Sequence, residues 1–207
     1  MPGEFRALGI DRSKRAAITD EYIDAMKTLW TEKDPEFDGE FASFGKIAFE
    51  PRCLQEPHVP VWIGGSGSRA VRRAVELGDG WAPMQASVDE LAGQVARMRQ
   101  ALLDHGRSTA GFTVSIPFEV GQVDPTLRAA VKHASGKDDR PPPPETPAEI
   151  IESLRAYADA DVDHVVLNFP WRDADDYKGW LRWFAAEVMP EFPQRTSILP
   201  SAPPAAS

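Results

Sequence analysis

Apolar residues follow a helical spacing in five parts of the chain. They recur every three or four residues after Thr19-Asp20, from Arg69 to Leu77, after Ser87, after Thr146 and from about Asp175 to Val188. This spacing predicts an apolar stripe on one face of each helix. Ser87 and Thr146 are each followed three residues later by glutamate, a capping box that marks a helix start.

Three of these helices carry specific predictions. In the first, which ends near Thr31, the apolar face consists of Tyr22, Met26, Leu29 and Trp30. The second ends at Gly78, which we interpret as the left-handed glycine that follows many helices. In the helix after Ser87, the apolar face consists of Leu91, Val95, Met98 and Leu102.

Four short apolar runs predict strands, each followed by one of the later helices. They are Val59–Ile63, Gly80–Met84, Phe112–Val120 and Val162–Phe169. Strands that alternate with helices favour parallel βα units, and nearly continuous apolar runs fit strands covered on both faces. The sequence therefore predicts an α/β fold with about four parallel βα units. This is half of a (β/α)8 TIM barrel, with an open four-stranded sheet as the alternative.

Three segments lack this periodicity. Residues 32–56 contain glycines, prolines and spaced phenylalanines, and predict a long excursion with one or two short extended pieces. Residues 122–145 are polar with four consecutive prolines, and predict a short helix followed by a mobile loop. Residues 193–207 predict a disordered Pro/Ala-rich tail, which leaves 1–192 as the folded domain.

Composition narrows the classes of partner. The chain has 207 residues and a formal net charge of −9, which disfavours binding to nucleic acid or to an anionic membrane surface. Cys53 is its single cysteine, so no internal disulfide and no Cys/His zinc site is expected. The amino terminus lacks the apolar stretch of a signal peptide, and we expect a cytoplasmic protein.

The best candidate site is the turn after the first predicted strand, Gly64-Gly65-Ser66-Gly67-Ser68. Glycines allow close approach to the backbone, and free N–H groups at a helix start attract phosphate. Three arginines follow within two turns: Arg69, Arg72 and Arg73. The alternative is a tight βα turn with a serine cap and solvated arginines.

The remaining polar residues favour structural roles. We interpret Asp79 as a brace for its turn, with Trp81 in the core, and His164 as a residue at the stability end of its strand. Asn168 and Trp171 are better placed for ligand contact. His58 and His105 are predicted at the surface. No nucleophile–base pair, paired-carboxylate site or metal site emerges.

Five segments in this order carry a resemblance to a known family. They are Thr19–Thr31, Phe37–Gly39, Pro60–Gly65, Gly78–Trp81 and Ala160–Asn168. Together they resemble the luciferase-like monooxygenase superfamily, in particular its actinobacterial oxidoreductases that use coenzyme F420. The resemblance runs from about Glu4 to Phe192. At Asp161 the family usually has a glycine, and aspartate tolerates the left-handed conformation at modest cost.

The resemblance implies an oxidoreductase in which a cofactor ring exchanges hydride with a small organic substrate. Coenzyme F420 is the preferred cofactor and FMN the alternative. The family's glycine pair lines the phosphate-bearing tail of the cofactor. That assigns cofactor contacts to the following residues: Gly64, Gly65, Gly67, Ser68 and, more weakly, Met84.

The resemblance also implies an incomplete barrel, because the chain begins at a segment similar to the one after the fourth family strand. Self-association as a homodimer, or a partner chain, would complete it. One alternative is a non-catalytic half barrel that associates with itself or with a partner. Another, resting on the glycine–serine turn alone, is a different small phosphate-binding βα protein.

Overall fold

The computed structural model describes residues 2–83, 87–121 and 144–192. Its amino-terminal part is helical, with α1 at Pro2–Ala7, a 3-10 turn at Arg12–Lys14 and α2 at Arg15–Thr31. The two short strands β1 (Phe37–Asp38) and β2 (Ser43–Phe44) pair antiparallel. They confirm the short extended pieces predicted within residues 32–56.

The βα repeat makes up the rest of the described chain. Its elements are β3 (Trp62–Gly64), α3 (Ser68–Leu77), β4 (Gly80–Ala82), α4 (Val88–Asp104), β5 (Thr113–Glu119), α5 (Pro147–Asp159), β6 (His164–Asn168) and α6 (Ala174–Glu187), followed by a 3-10 turn at Met189–Glu191. The strands form one sheet in the order β3-β4-β5-β6, with β3, β4 and β5 pairing in parallel. The predicted α/β class and strand–helix alternation are confirmed, and a partial barrel is consistent with them.

The chain divides into two compact units. One comprises Met1–Ile116 with Ala160–Val166, and the other comprises Pro117–Asp159 with Leu167–Ser207. The second unit is built on aromatic packing: Phe169 stacks on Trp180 at 5.6 Å between ring centroids and meets Phe184 edge-on at 5.8 Å. Phe169 and Phe184 are both buried, so this cluster forms core of the second unit.

In the first unit, α3 covers one face of the sheet, whereas the opposite face is partly exposed. Ile63 pairs with Trp81, and both are buried on the side where α3 packs. Trp62 pairs with Gly80 on the opposite face and remains 40% exposed. A Cβ on Gly80 would lie 2.6 Å from the Trp62 ring, so the indole occupies the space that a larger residue would need.

Helix α4 matches its prediction. Its amino terminus carries the capping box: the Ser87 hydroxyl accepts from the Glu90 amide, and the Glu90 carboxylate accepts from the Ser87 amide, both at 3.3 Å. The predicted apolar residues Leu91, Val95, Met98 and Leu102 are all buried. The helix ends at His105-Gly106 as expected.

The prediction for the apolar face of α2 is only partly right. Tyr22 and Met26 are 47% and 37% exposed, whereas Ile23 and Ala25 are buried. Polar contacts to α3 decide which face turns inward, because Asp20 pairs with Arg72 at 2.8 Å and the Lys27 ammonium donates to the Leu77 carbonyl at 2.6 Å. Residues 20, 23 and 27 share one helix face, and this face meets α3.

Gly78 is required for a different reason from the one predicted. Its φ is −92°, so it is extended rather than left-handed. A Cβ at this position would lie 2.9 Å from Ile63 Cγ1 and 3.0 Å from the Ala74 carbonyl oxygen. The glycine is therefore needed for close packing of the end of α3 against β3. Asp161, by contrast, adopts the expected left-handed conformation, with φ +62°.

The β1–β2 hairpin is fixed by a carboxylate of α2. Glu21 accepts hydrogen bonds from the backbone amides of Phe41 at 2.6 Å, Ala42 at 2.8 Å and Glu40 at 3.0 Å. A Cβ on Gly39 would overlap the Glu21 carboxylate, so the turn needs glycine there. An internal anion thus satisfies the amides of this turn.

Several predictions lie outside the described residues. They concern Met84, the helix and loop within residues 122–143, and the tail at 193–207. Within the parts of the chain that the structure describes, no helix is both long and apolar enough to cross a membrane.

Candidate functional site

The turn between β3 and α3 is tied to the end of β4. The Gly65 amide donates to the Ala82 carbonyl at 3.0 Å, and the indole N–H of buried Trp81 donates to the Gly65 carbonyl at 2.8 Å. Gly65 has φ +104°, a conformation that side chains strongly disfavour. The turn is therefore held in one conformation from both sides.

The amino terminus of α3 is open. Gly67 is the N-cap residue, with an extended backbone and no side chain to accept from the first amides. Its carbonyl accepts from Ala70 and Val71, but the amides of Ser68 and Arg69 find no acceptor among the described residues. A Cβ on Gly67 would meet nothing within 4 Å. Two N–H groups at the positive end of the helix dipole thus lack an acceptor among the described residues, an arrangement that favours binding of a phosphate.

The three arginines of α3 separate into two groups. Arg72 pairs with Asp20 at 2.8 Å and with Glu76, and Arg73 pairs with Asp20 and donates to the Ala16 carbonyl at 3.1 Å. Both arginines therefore serve the contact with α2. Arg69 is exposed, and no ion pair engages it within the described residues. Its charge is therefore not neutralised by an ion pair within the described residues.

Asp79 braces the opposite, amino-terminal end of these strands. Its carboxylate accepts from the Val61 amide at 2.9 Å, its own amide donates to the Val61 carbonyl at 2.7 Å, and its carbonyl accepts from Thr113 at 3.1 Å. These bonds connect the starts of β3, β4 and β5. The geometry matches the predicted structural role.

The prediction that His58 lies at the surface is wrong. Its side chain is only 9% exposed, its Nδ1 lies 2.9 Å from the Val59 carbonyl oxygen, and its ring lies 6.0 Å from that of Trp30. The Asp79 carboxylate is 3.9 Å from the same nitrogen. Contacts with α2 and with the strand brace therefore bury this histidine; His105, in contrast, is exposed as predicted.

His164 is the first residue of β6, as its predicted place at the amino-terminal end requires. Its Nδ1 lies 2.9 Å from Ser115 Oγ, and its ring meets Trp62 edge-on at 5.0 Å. The neighbouring Asp163 carboxylate is engaged by the Val114 amide and by Arg99, both at 2.9 Å. Among the residues that the structure describes, no carboxylate orients the imidazole, so the pair lacks there the third member of a nucleophilic set. Asn168 and Trp171 belong to the second unit, where Trp171 is 63% exposed.

Sequence reasoning missed two features of the turn. The Trp81–Gly65 hydrogen bond has no local sequence signal, because it joins residues 16 positions apart. The separation of Arg69 from Arg72 and Arg73 has no local signal either, because residues 69 and 73 lie on one helix face and Asp20 on the preceding helix selects which arginines are paired. Among the described residues, no cluster of three His, Cys, Asp or Glu side chains is arranged to hold a metal ion.

Comparison with known proteins identifies the family. Residues 2–141 match the family of luciferase-like monooxygenases, which is well over half of the chain. The chain belongs to this family.

Two relatives and one solved structure are similar to this chain, the relatives in sequence and the structure in fold. An uncharacterized protein of Mycobacterium tuberculosis is 26% identical over 87% of this chain and 53% of its own length. An FMNH2-dependent dimethylsulfone monooxygenase of Pseudomonas putida is 31% identical over 51% of this chain and 30% of its own. An F420-dependent secondary alcohol dehydrogenase has the same fold, with a TM-score of 0.68, 16% identity and coverage of 87% of this chain and 62% of that one.

Each of these matches covers a larger share of this chain than of the protein it is compared with. The chain spans about half the length of the M. tuberculosis relative. The enzymes it resembles include both FMN-dependent and F420-dependent ones, so a flavin or deazaflavin is the class of cofactor to test against the site. The β3–α3 turn fits the phosphate of such a group, because Gly67 leaves its surroundings open beside two amides and one unpaired arginine.

Proposed function

We propose that this luciferase-like chain forms the phosphate-binding part of a flavin- or deazaflavin-dependent oxidoreductase that acts on a small organic substrate. The observation that carries the proposal is the open amino terminus of α3, where Gly67 leaves the amides of Ser68 and Arg69 without an acceptor in the described part of the chain. When bound, the cofactor ring supplies the hydride chemistry.

Each residue of the turn has a stated part in this proposal. Gly64 and Gly65 let the cofactor approach the backbone because they carry no side chain. The positive φ of Gly65 is one that glycine adopts readily and other residues do not. Gly67 keeps the cradle open, and Ser68 supplies an amide and a hydroxyl. Arg69 balances the charge of the phosphate. Met84 is included in the proposed set because of the family resemblance alone, since it lies outside the described residues.

For the cofactor itself, we propose coenzyme F420 in preference to FMN. The test is a fluorescence titration of the purified full chain with each compound. We expect saturable binding of F420 with FMN weaker, and Arg69→Gln should weaken binding by about twofold to fivefold, since an exposed charged contact contributes up to about 1 kcal/mol.

Arg182→Gln is the matched control. Arg182 is an exposed arginine of α6 with no ion-pair partner in the described residues, so its loss changes net charge equally without touching the turn. Absence of binding of both compounds to the native chain would overturn the proposed function. Equal losses in both variants would remove Arg69 from the site.

We also propose that the chain associates with a second copy or with a partner chain. Exposed apolar residues of the first unit support this: Tyr22 and Met26 on α2, and Trp62 and Val166 on the open face of the sheet. Surfaces of this kind mark interaction sites. Size-exclusion chromatography with light scattering tests it, and a stable monomer at high concentration that still binds cofactor would contradict it. A complex that binds no cofactor would instead favour the non-catalytic half barrel.

A further inference from the structure

A groove of about 690 Å³ runs between α3 and α4 in the first unit. Strands β3 and β4 are parallel, so the helices that follow them run back in the same direction and their amino ends lie side by side. The apolar wall of the groove consists of Val71 and Val75 from α3 and Met98 and Ala101 from α4. Ser66 and Ser68 line the end nearest the β3–α3 turn, so the groove begins at the proposed phosphate site.

The amino-terminal half of the groove contains an unsatisfied acceptor. Gln94 lines the groove, and its Oε1 is buried but accepts no hydrogen bond from any described residue. A buried carbonyl oxygen without a donor destabilises the folded state, because its bonds to water are lost and not replaced. A ligand that brings an N–H group to this position would remove that cost.

The same half carries an unpaired positive charge. Arg97 is exposed, lines the groove and has no ion-pair partner among the described residues. Its guanidinium lies back over Gly93, because a Cβ there would meet Arg97 Nη1 at 3.4 Å. That direction is toward the amino end of α4, the end nearest the turn.

The charges in the other half are mostly engaged. Arg72 is paired with Glu76 and Asp20, and Asp104 accepts from the Gln100 side chain at 2.8 Å. Glu76 and Asp104 make this end unfavourable for an anion, and His105 lies beside them. An anionic ligand group is therefore favoured only near Arg97, next to the turn.

We propose that this groove holds the part of the cofactor that continues beyond its phosphate, a chain with amide N–H donors and a carboxylate. The oligoglutamyl tail of coenzyme F420 has this chemistry, whereas FMN ends at its phosphate. The phosphate binds at the amino terminus of α3, the first glutamyl amide donates to Gln94 Oε1, and its carboxylate pairs with Arg97. The inference rests on the proposed function and assigns its cofactor.

The test compares coenzyme F420 with the same compound lacking its glutamyl residues, by fluorescence titration of the full chain. We expect the tailed form to bind about threefold to tenfold tighter, the range of one charged contact plus one hydrogen bond near the surface. Arg97→Gln should reduce that preference to near onefold, while Arg182→Gln should retain it.

Gln94→Leu supplies a second variant that does not depend on charge. It removes the buried unsatisfied oxygen, so the melting temperature should stay the same or rise, while the preference for the tailed form should fall. Equal binding of both forms by the native chain would overturn the groove assignment and leave the proposed function standing. Failure of both forms and of FMN to bind would overturn the proposed function itself.

Discussion

Helices of the βα repeat begin in two different ways. At α4, α5 and α6, a side chain of the protein accepts from the first amides: Ser87, Thr146 and Asp173. At α3 the corresponding residue is Gly67, which has nothing to offer them. Three starts are thus capped by side chains of the chain itself, whereas at the fourth the described residues supply no side-chain cap. When a sequence is searched for a phosphate site, a helix start without a capping residue, next to a glycine turn, is therefore a better indicator than a capped start.

The β1–β2 hairpin shows the same principle with the anion supplied internally. Three backbone amides of its turn donate to the Glu21 carboxylate. Gly39 and Gly67 both leave room for an oxygen, but at Gly39 the oxygen belongs to the protein. The amides at the hairpin thus have a structural use, in contrast to the phosphate binding proposed for those at the start of α3.

The largest effect is expected from a substitution that caps the amino terminus of α3 with an aspartate, as Asp173 caps that of α6. Gly67→Asp has room, since a Cβ there meets nothing within 4 Å, and its backbone is already extended. The new carboxylate accepts from the first amides and repels phosphate. Cofactor affinity should fall at least about tenfold, while the free energy of unfolding stays constant or rises by about a few tenths of a kcal/mol.

Gly179→Asp is the control for this change. It adds the same charge on α6, at a glycine whose Cβ would also meet nothing within 4 Å. Titration and urea denaturation of both variants separate binding from stability. Unchanged cofactor affinity in Gly67→Asp would show that the open helix start does not bind the phosphate.

A smaller effect, on stability rather than on cofactor affinity, is expected at a helix start that is already capped. Ser87→Ala removes the acceptor for the Glu90 amide. The free energy of unfolding should fall by about 1 kcal/mol, as for other N-cap serines, while cofactor affinity stays within twofold. Urea denaturation measures the first and titration the second. A loss of affinity comparable to that of Gly67→Asp would erase the distinction between the two kinds of helix start.

The smallest effect is a pH dependence at the hairpin. Partial desolvation raises the pKa of Glu21, but the amide hydrogen bonds from Phe41, Ala42 and Glu40 outweigh it and hold the pKa below its ordinary value of 4.5. A carboxyl with a depressed pKa in the folded state stabilises above its unfolded pKa, and this contribution is lost as the pH falls below 4.5 through the folded value.

Glu21→Gln should therefore flatten that part of the stability profile between about pH 5 and pH 3, measured by urea denaturation at each pH. Glu40→Gln serves as a comparison, because in the described part of the chain the Glu40 side chain pairs with Lys14 at the surface and accepts from no hairpin amide. Identical profiles for the native chain and Glu21→Gln would show that the carboxylate does not hold the hairpin as an anion.

Local sequence signals predicted the repeating part of the fold well. The capping boxes at Ser87 and Thr146 and the apolar stripe from Leu91 to Leu102 depend on neighbours within one helix, and each is present in the structure. The strands were predicted in order but too long, because β-branched residues such as Val59 favour extended backbone whether or not a neighbouring strand pairs with them.

Features that depend on distant partners were not predictable in the same way. Tyr22 appears as core by spacing, yet Asp20 and Lys27 turn α2 by binding α3. His58 is buried by Trp30 and the Asp79 brace, neither of which a local pattern reveals. At the site, the glycine turn was visible in the sequence. The absence of a cap at Gly67 and the unpaired Arg69 became visible only with the structure.

The hydrogen bond from Trp81 to the Gly65 carbonyl makes the fluorescence of this tryptophan sensitive to the glycine turn. The indole is 1% exposed and bonds directly to the glycine turn, so its emission depends on the conformation of that turn rather than on bulk solvent. An excited indole also transfers energy to a nearby chromophore that absorbs at longer wavelength. A ligand bound at the turn should therefore change the Trp81 contribution to the fluorescence, which a variant that keeps only this one of the six tryptophans would isolate.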